Sequence, residues 1–156
     1  MNSYCKSALN QIKIALTKTS EIIEQLEESD LQKRPSPDKL SIGELLEHIA
    51  MICRADLLIA QGATKGEMTH FYSSTTYKCL NEIKNSLINN FKLLEEFYLN
   101  YTEVELHEEI NSFWGAKYTR YEWLLEILAH VYHHRGQLHS VLVHCYKKDP
   151  KILMFE

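Results

Sequence analysis

Three histidines stand at spacings that suit metal chemistry: His48 within SIGELLEHIA, and His130 and His134 within HVYHHRGQLH. His130 and His134 are four residues apart, so on a helix their imidazoles stack on one face about one turn apart. Two such rings ligate one divalent cation, and a third ligand from another helix completes a face of the coordination shell. His48 is the natural third ligand. A three-histidine set leaves a position open for water or substrate, the arrangement of a catalytic rather than a structural metal. Imidazole suits zinc, nickel, iron and copper; zinc or nickel is the first expectation.

A single histidine on an apolar helix face is usually a hydrogen-bonded core or boundary residue. With eight histidines in the chain, some pairs at four-residue spacing arise by accident. Phase narrows the choice. Ile127, Val131 and Leu138 make an apolar row, and His130, His134, Gln137 and Val141 form a continuous face beside it. His133 points about 100° away from His134 and is read as exposed or supporting. His70, His107 and His144 lie in or near loops or helix ends, and His139 is off the face. Glu126 precedes His130 by four residues on the same face. It is a candidate to orient a ring N–H or to act as a general base, weighed against a plain solvated carboxylate. Cys53 is read as core. Gly136 in mid-helix costs about 1 kcal/mol against Ala, which suggests close approach of another backbone, with Arg135 held by a carboxylate or at a subunit contact.

These side chains need helices to hold them. Gly and Pro are scarce, and apolar residues recur at three- and four-residue steps, which argues for an all-α protein. A first helix is expected over 3–28, with Ile12, Leu16, Ile22, Ile23 and Leu26 as its buried stripe. LQKRPSPDKL breaks it, because two prolines in three residues cannot continue a helix. A second starts at Ser41, which with Glu44 has capping-box spacing, and stops near Gly62. A third runs from near Ser73 to about Asn100, with Leu80, Ile83, Leu87, Phe91, Leu94, Tyr98 and Tyr101 along one side. The segment 101–118 is irregular, with room for a short hairpin. A fourth starts at Thr119, capped with Glu122, and runs to about Tyr146.

At 1.5 Å per residue, His48 lies roughly 10 Å into the second helix and the His130/His134 pair roughly 16–23 Å into the fourth. A shared site therefore requires those two helices to run antiparallel. The 62–73 connection spans about 40 Å if extended, which allows the third helix to run parallel to the second. The result is a four-helix bundle in up-down-down-up order.

Composition bounds the rest. A chain of 156 residues with 45% hydrophobic content fits one domain, 1–156, with a single core. The formal charge is −4 and no Lys/Arg-rich block occurs, which argues against nucleic-acid binding. No apolar run approaches the length of a membrane span. The start, MNSYCKSALNQIK, lacks the pattern of a signal peptide, and four scattered cysteines with no CxxC pair read as reduced thiols, so a cytoplasmic protein is expected.

At HVYHHRGQLHSVL, and at the IGELLEHIA setting of His48, the chain resembles the DinB/YfiT-like superfamily of helical metal-binding proteins. The resemblance spans most of the chain. It implies an up-down-down-up bundle, usually a homodimer, with one divalent metal held by three histidines, by position His48, His130 and His134. It implies a supporting role for Arg135, Gly136 and Gln137. Activities in such a family diverge: some members resemble transferases of low-molecular-weight thiols such as bacillithiol, some thiol-dependent isomerases, some metal-dependent hydrolases. Three functions follow in order of expectation. The first is a thiol S-transferase acting on a small molecule in detoxification or stress response. The second is a metal-dependent hydrolase with Glu126 as the candidate base. The third is a non-catalytic metal- or ligand-binding protein.

Overall fold

The computed structural model describes residues 2–156 and is mostly helical. Helix α1 spans Ser3–Ile23 and is capped by Asn2, whose side-chain oxygen accepts the Tyr4 and Cys5 N–H groups. It ends earlier than its apolar stripe suggests. The chain turns into a short 3₁₀ segment, Glu28–Gln32, because Asp30 is drawn fully inside, where it accepts the Glu27 N–H and pairs with Lys33 and Lys148 at 2.6 and 2.7 Å. Leu26 lies past the helix end, packed against the core.

Helix α2 spans Ile42–Ala60 with the expected Ser41/Glu44 box: Glu44 N–H donates to Ser41 Oγ at 3.1 Å and Ser41 N–H to the Glu44 carboxylate at 2.7 Å. It stops before Gly62, whose φ of 88° is left-handed. The connection that follows is helical rather than extended. Helix α3, Lys65–Ser74, carries its own Thr64/Glu67 box and buries Met68 against Ala55, Ile59, Ala60 and Trp123.

Helix α4, Leu80–Asn100, begins later than Ser73. No side chain of its own N-cap serves it. Instead the Glu28 carboxylate, reaching across from the 3₁₀ segment, accepts the Leu80 N–H at 3.0 Å. Its stripe from Leu80 to Tyr98 is buried. A four-residue helix, α5 (Glu103–Leu106), and a hairpin of β1 (Glu109–Asn111) and β2 (Lys117–Thr119) follow. The strands pair antiparallel with Ile110 opposite Tyr118, turning at Gly115, where φ is 97°.

Helix α6, Arg120–Ser140, starts at the expected Thr119/Glu122 box. It does not continue regularly to Tyr146; a wider π-type turn covers Val141–Cys145, and the chain then folds back along α6. Arg135 is 3% exposed and meets no carboxylate among the described residues. Its Nη1 donates to the Met154 carbonyl at 2.6 Å, and its guanidinium lies 4.5 and 5.0 Å from the ring centres of Tyr132 and Phe155. The expected close approach at Gly136 is also absent among the described residues, since a Cβ there meets nothing within 4 Å.

The four long helices share one core. α1 packs on α4 and α6, and α2 packs on the same two. Ile12, Ile22, Leu46, Ile49, Leu94, Leu124, Ile127, Val131 and Leu138 lie inside it. A smaller cluster around Trp123 joins α2, α3, the hairpin and α6. Among the described residues, no helix is long and apolar enough to cross a membrane.

Candidate metal centre

The capping boxes fix where α2 and α6 start, and the helical repeat then decides which residues face each other. His48 sits in the second turn of α2, while His130 and His134 sit in mid-α6. The structure brings all three together. One ring nitrogen from each lies within 4.8 Å of the others. Nε2 of His48 is 3.2 Å from Nε2 of His130, and the His48 and His134 ring centres are 4.4 Å apart. Moving along α2 from His48 to Asp56 moves along α6 from His134 back to Glu126, because Asp56, Glu126 and His130 form a second group with ligand atoms within 4.8 Å. The two helices therefore run in opposite senses at the site.

The 3.2 Å separation is chemically telling. His130 Nδ1 lies 2.7 Å from Asp56 Oδ2, so its proton is placed on Nδ1 and Nε2 carries the lone pair. His134 Nδ1 is similarly 2.9 Å from Gln137 Oε1, which leaves its Nε2 free. Two imidazole nitrogens facing each other need a proton or a cation between them. Nitrogens bound to one ion at 2.0–2.1 Å stand about 2.9 Å apart at a right angle and about 3.3 Å apart at a tetrahedral angle. The donor set therefore fits a divalent cation in chemistry, and the His48–His130 separation fits one in spacing.

Electrostatics separates the three rings. Burial, and then the neighbouring His134 and His130 rings, push His48 down to about 4, so it is neutral at physiological pH. His134 is lowered chiefly by burial. His130 is raised, first by its hydrogen bond to Asp56 and then by the charges of Asp56 and Glu126. Glu126 is raised by burial and by the nearby Asp56 carboxylate.

Asp56 is the residue that sequence reasoning missed. It lies eight residues beyond His48, two turns and about 12 Å along α2. The antiparallel height rule, extended by those two turns, sets it level with Glu126. The hydrogen-bond partner of His130 Nδ1 is Asp56 and not Glu126; Glu126 stands beside the pair without a hydrogen bond of its own among the described residues. His133 is exposed, with its ring 4.7 Å from His134. His70, His107 and His144 are exposed and His139 is half-buried. Cys53 is buried with its thiol pushed far up by burial, and it is not in the ligand group.

Comparison with known proteins bears on the fold and the family. A protein assigned to the DinB family from Exiguobacterium sibiricum has a crystal structure 28% identical in sequence, with a TM-score of 0.86 over 99% of each chain. A DinB-like protein from Bacillus cereus is 19% identical, with a TM-score of 0.73 over 95% of this chain and 97% of that one. One from Bacillus subtilis is 21% identical, with a TM-score of 0.68 over 85% and 87%. These two share the fold. No curated protein matches. A family model described as the DinB superfamily matches residues 11–138. That match covers most of the chain, including all three histidines, and the chain belongs to the DinB superfamily.

Proposed function

We propose that the chain is a divalent-metal-dependent enzyme in which His48, His130 and His134 hold the metal, and that it transfers a low-molecular-weight thiol of the bacillithiol type to an electrophile. The observation that carries this reading is the convergence of three imidazoles from α2 and α6 in a group with no fourth member among the described residues. Such a set keeps a position for substrate. A divalent cation, when bound, supplies Lewis acidity that favours the deprotonated form of a thiol near neutral pH.

The chain's own contribution is positional. Asp56 and Gln137 keep protons on Nδ1 of His130 and His134, so both Nε2 lone pairs are free. His48 adds a third lone pair from a ring that burial keeps neutral. In the transfer itself, thiolate sulfur forms a bond to carbon. A carbon–chlorine bond breaks with loss of chloride, or an epoxide carbon–oxygen bond opens and the oxygen takes up a proton.

A hydrolase is the second reading, favoured by Glu126. Its carboxyl is raised by burial and by Asp56, which suits a proton acceptor working closer to neutral pH. Incubation of metal-loaded protein with bacillithiol and a chlorinated or epoxide electrophile tests the first reading. Conjugate above background, lost in His134→Ala, is expected. Absence of conjugate with any common thiol, together with ester or amide hydrolysis sensitive to Glu126→Gln, replaces transferase with hydrolase.

We also read 1–156 as one domain with the long helices in up-down-down-up order. Three observations support that order. The ion pair of Glu24 and Lys84 joins the end of α1 to the start of α4. The Tyr98 hydroxyl donates to the Arg120 carbonyl at 2.9 Å, joining the end of α4 to the start of α6. The two ligand groups set α2 against α6 in opposite senses.

A further inference from the structure

We infer that Asp56 is a positioning residue of the metal centre: it accepts the Nδ1 proton of His130 and so fixes that ring with Nε2 directed at His48. The inference rests on the reading of His48, His130 and His134 as metal ligands.

Three observations carry it. Asp56 is 6% exposed, so water contributes little to satisfying its carboxylate, and a buried carboxylate persists only where a partner compensates. Its one side-chain hydrogen bond among the described residues runs to His130 Nδ1 at 2.7 Å, across 74 positions of sequence and from α2 to α6. It is neither a cap nor a helix-surface pair. The third observation is directional. Nε2 of the same ring stands 3.2 Å from His48 Nε2, so the proton on Nδ1 determines that the lone pair faces the site. If Nε2 carried the proton instead, its lone pair would be lost to the cation.

The three ligands are therefore held unequally. His130 has a buried, charged acceptor. His134 has a neutral one, Gln137, on its own helix at 2.9 Å and exposed. The Nδ1 of His48 has none among the described residues. A charged acceptor in a buried setting orients more strongly than a neutral exposed one, which makes Asp56 the dominant support and Gln137 the lesser. Glu126 stands in the same group of ligand atoms but makes no such bond.

The test compares Asp56→Ala, Asp56→Asn, Gln137→Ala and Glu126→Gln with the wild type, using two readouts. Two-bond proton–nitrogen correlations of ¹⁵N-histidine-labelled, chelator-treated protein report the tautomer of each ring. Competition for zinc against a chromophoric chelator reports affinity. The wild type is expected to show His130 as the Nδ1–H form. Asp56→Ala should shift it toward Nε2–H and weaken zinc binding by roughly 10–100-fold. Asp56→Asn keeps an oxygen that can accept the same proton, so it should retain the tautomer and lose less affinity. Gln137→Ala should lose less than Asp56→Ala, and Glu126→Gln should leave the His130 tautomer unchanged. A merely structural cross-link between α2 and α6 would lower thermal stability without changing the tautomer. Zinc bound by the wild type and equally well by Asp56→Ala, or an unchanged His130 tautomer in that variant, overturns the role of Asp56 alone. A wild type that takes up no zinc overturns the metal reading, and the positioning role with it. Should Asp56→Ala fail to fold, Asp56→Ser, whose shorter side chain stops short of His130 Nδ1, takes its place with the same expected loss and the same overturning results.

Discussion

The three imidazoles make opposite demands on a proton, and this makes them separable by pH. His48 is pushed down to about 4 by burial and by the other two rings, against roughly 6.5 in an unfolded chain. Between those values the unfolded chain binds the proton and the folded one does not, so His48 destabilises metal-free protein increasingly as pH falls from about 6.5 to about 4. His130 has the opposite sign. Its raised pKa, set first by the Asp56 hydrogen bond, gives stability that is fully present below about 6.5 and is lost as pH rises through the raised value. Thermal denaturation of chelator-treated protein across this window is expected to show a steeper acid loss in the wild type than in His48→Ala. Equal slopes would mean that the ring is not held neutral by its surroundings. The histidines were legible in the sequence because a four-residue spacing becomes one face on a helix. Asp56 was not, because nothing local marks a carboxylate whose partner lies on another helix.

At the level of elements, capping chemistry located the two helices that hold the site. Ser41/Glu44 and Thr119/Glu122 are boxes in sequence and in structure. The same signal stood at Thr64/Glu67 and Thr102/Glu105. The helices these start, α3 and α5, bury only Met68 and Leu106 respectively, so no apolar period announced them. The start of α4 was hidden for another reason: its capping carboxylate, Glu28, is 52 positions away. The two glycines of the site-bearing helices behave differently. A Cβ on Gly43 would meet the Leu31 carbonyl oxygen at 2.9 Å, where the 3₁₀ segment crosses the start of α2. Gly43→Ala is expected to destabilise by about 1–3 kcal/mol through that clash. Gly136 is exposed and meets nothing within 4 Å, so Gly136→Ala is expected to stabilise the isolated chain by about 0.5–1 kcal/mol from helix propensity. Chemical denaturation of both variants checks the pair. A destabilising Gly136→Ala would place another backbone against that surface, as in a homodimer.

Across the whole molecule, the segment after α6 ties the far ends together and so steadies the helix that carries two of the three ligands. Lys148 reaches Asp30 at 2.7 Å, and Arg135 holds the Met154 carbonyl with its guanidinium against the stacked rings of Tyr132 and Phe155. Burial alone would raise the Asp30 carboxyl. Hydrogen bonds from the Glu27 N–H, Lys148 and Lys33 outweigh it and hold the group down to about 2. A depressed carboxylate contributes stability that is present above the unfolded value near 4 and is lost as pH falls toward about 2. Asp30→Asn is accordingly expected to cost about 2 kcal/mol at neutral pH and to flatten the acid limb of the stability curve. An unchanged curve would remove Asp30 as the tie. None of this was legible in the sequence, where LQKRPSPDKL read as the break after the first helix and the fourth was expected to end near Tyr146.

His48 on α2 and His130 and His134 on α6 are expected to converge on one divalent cation. Elemental analysis of protein purified without a nickel column, repeated on His48→Ala, tests it most directly. The wild type is expected to carry about one equivalent of divalent metal per chain, as a single three-histidine site requires, and the variant to lose most of it. A wild type free of metal even after incubation with zinc or nickel, or a variant that retains its full equivalent, would contradict it.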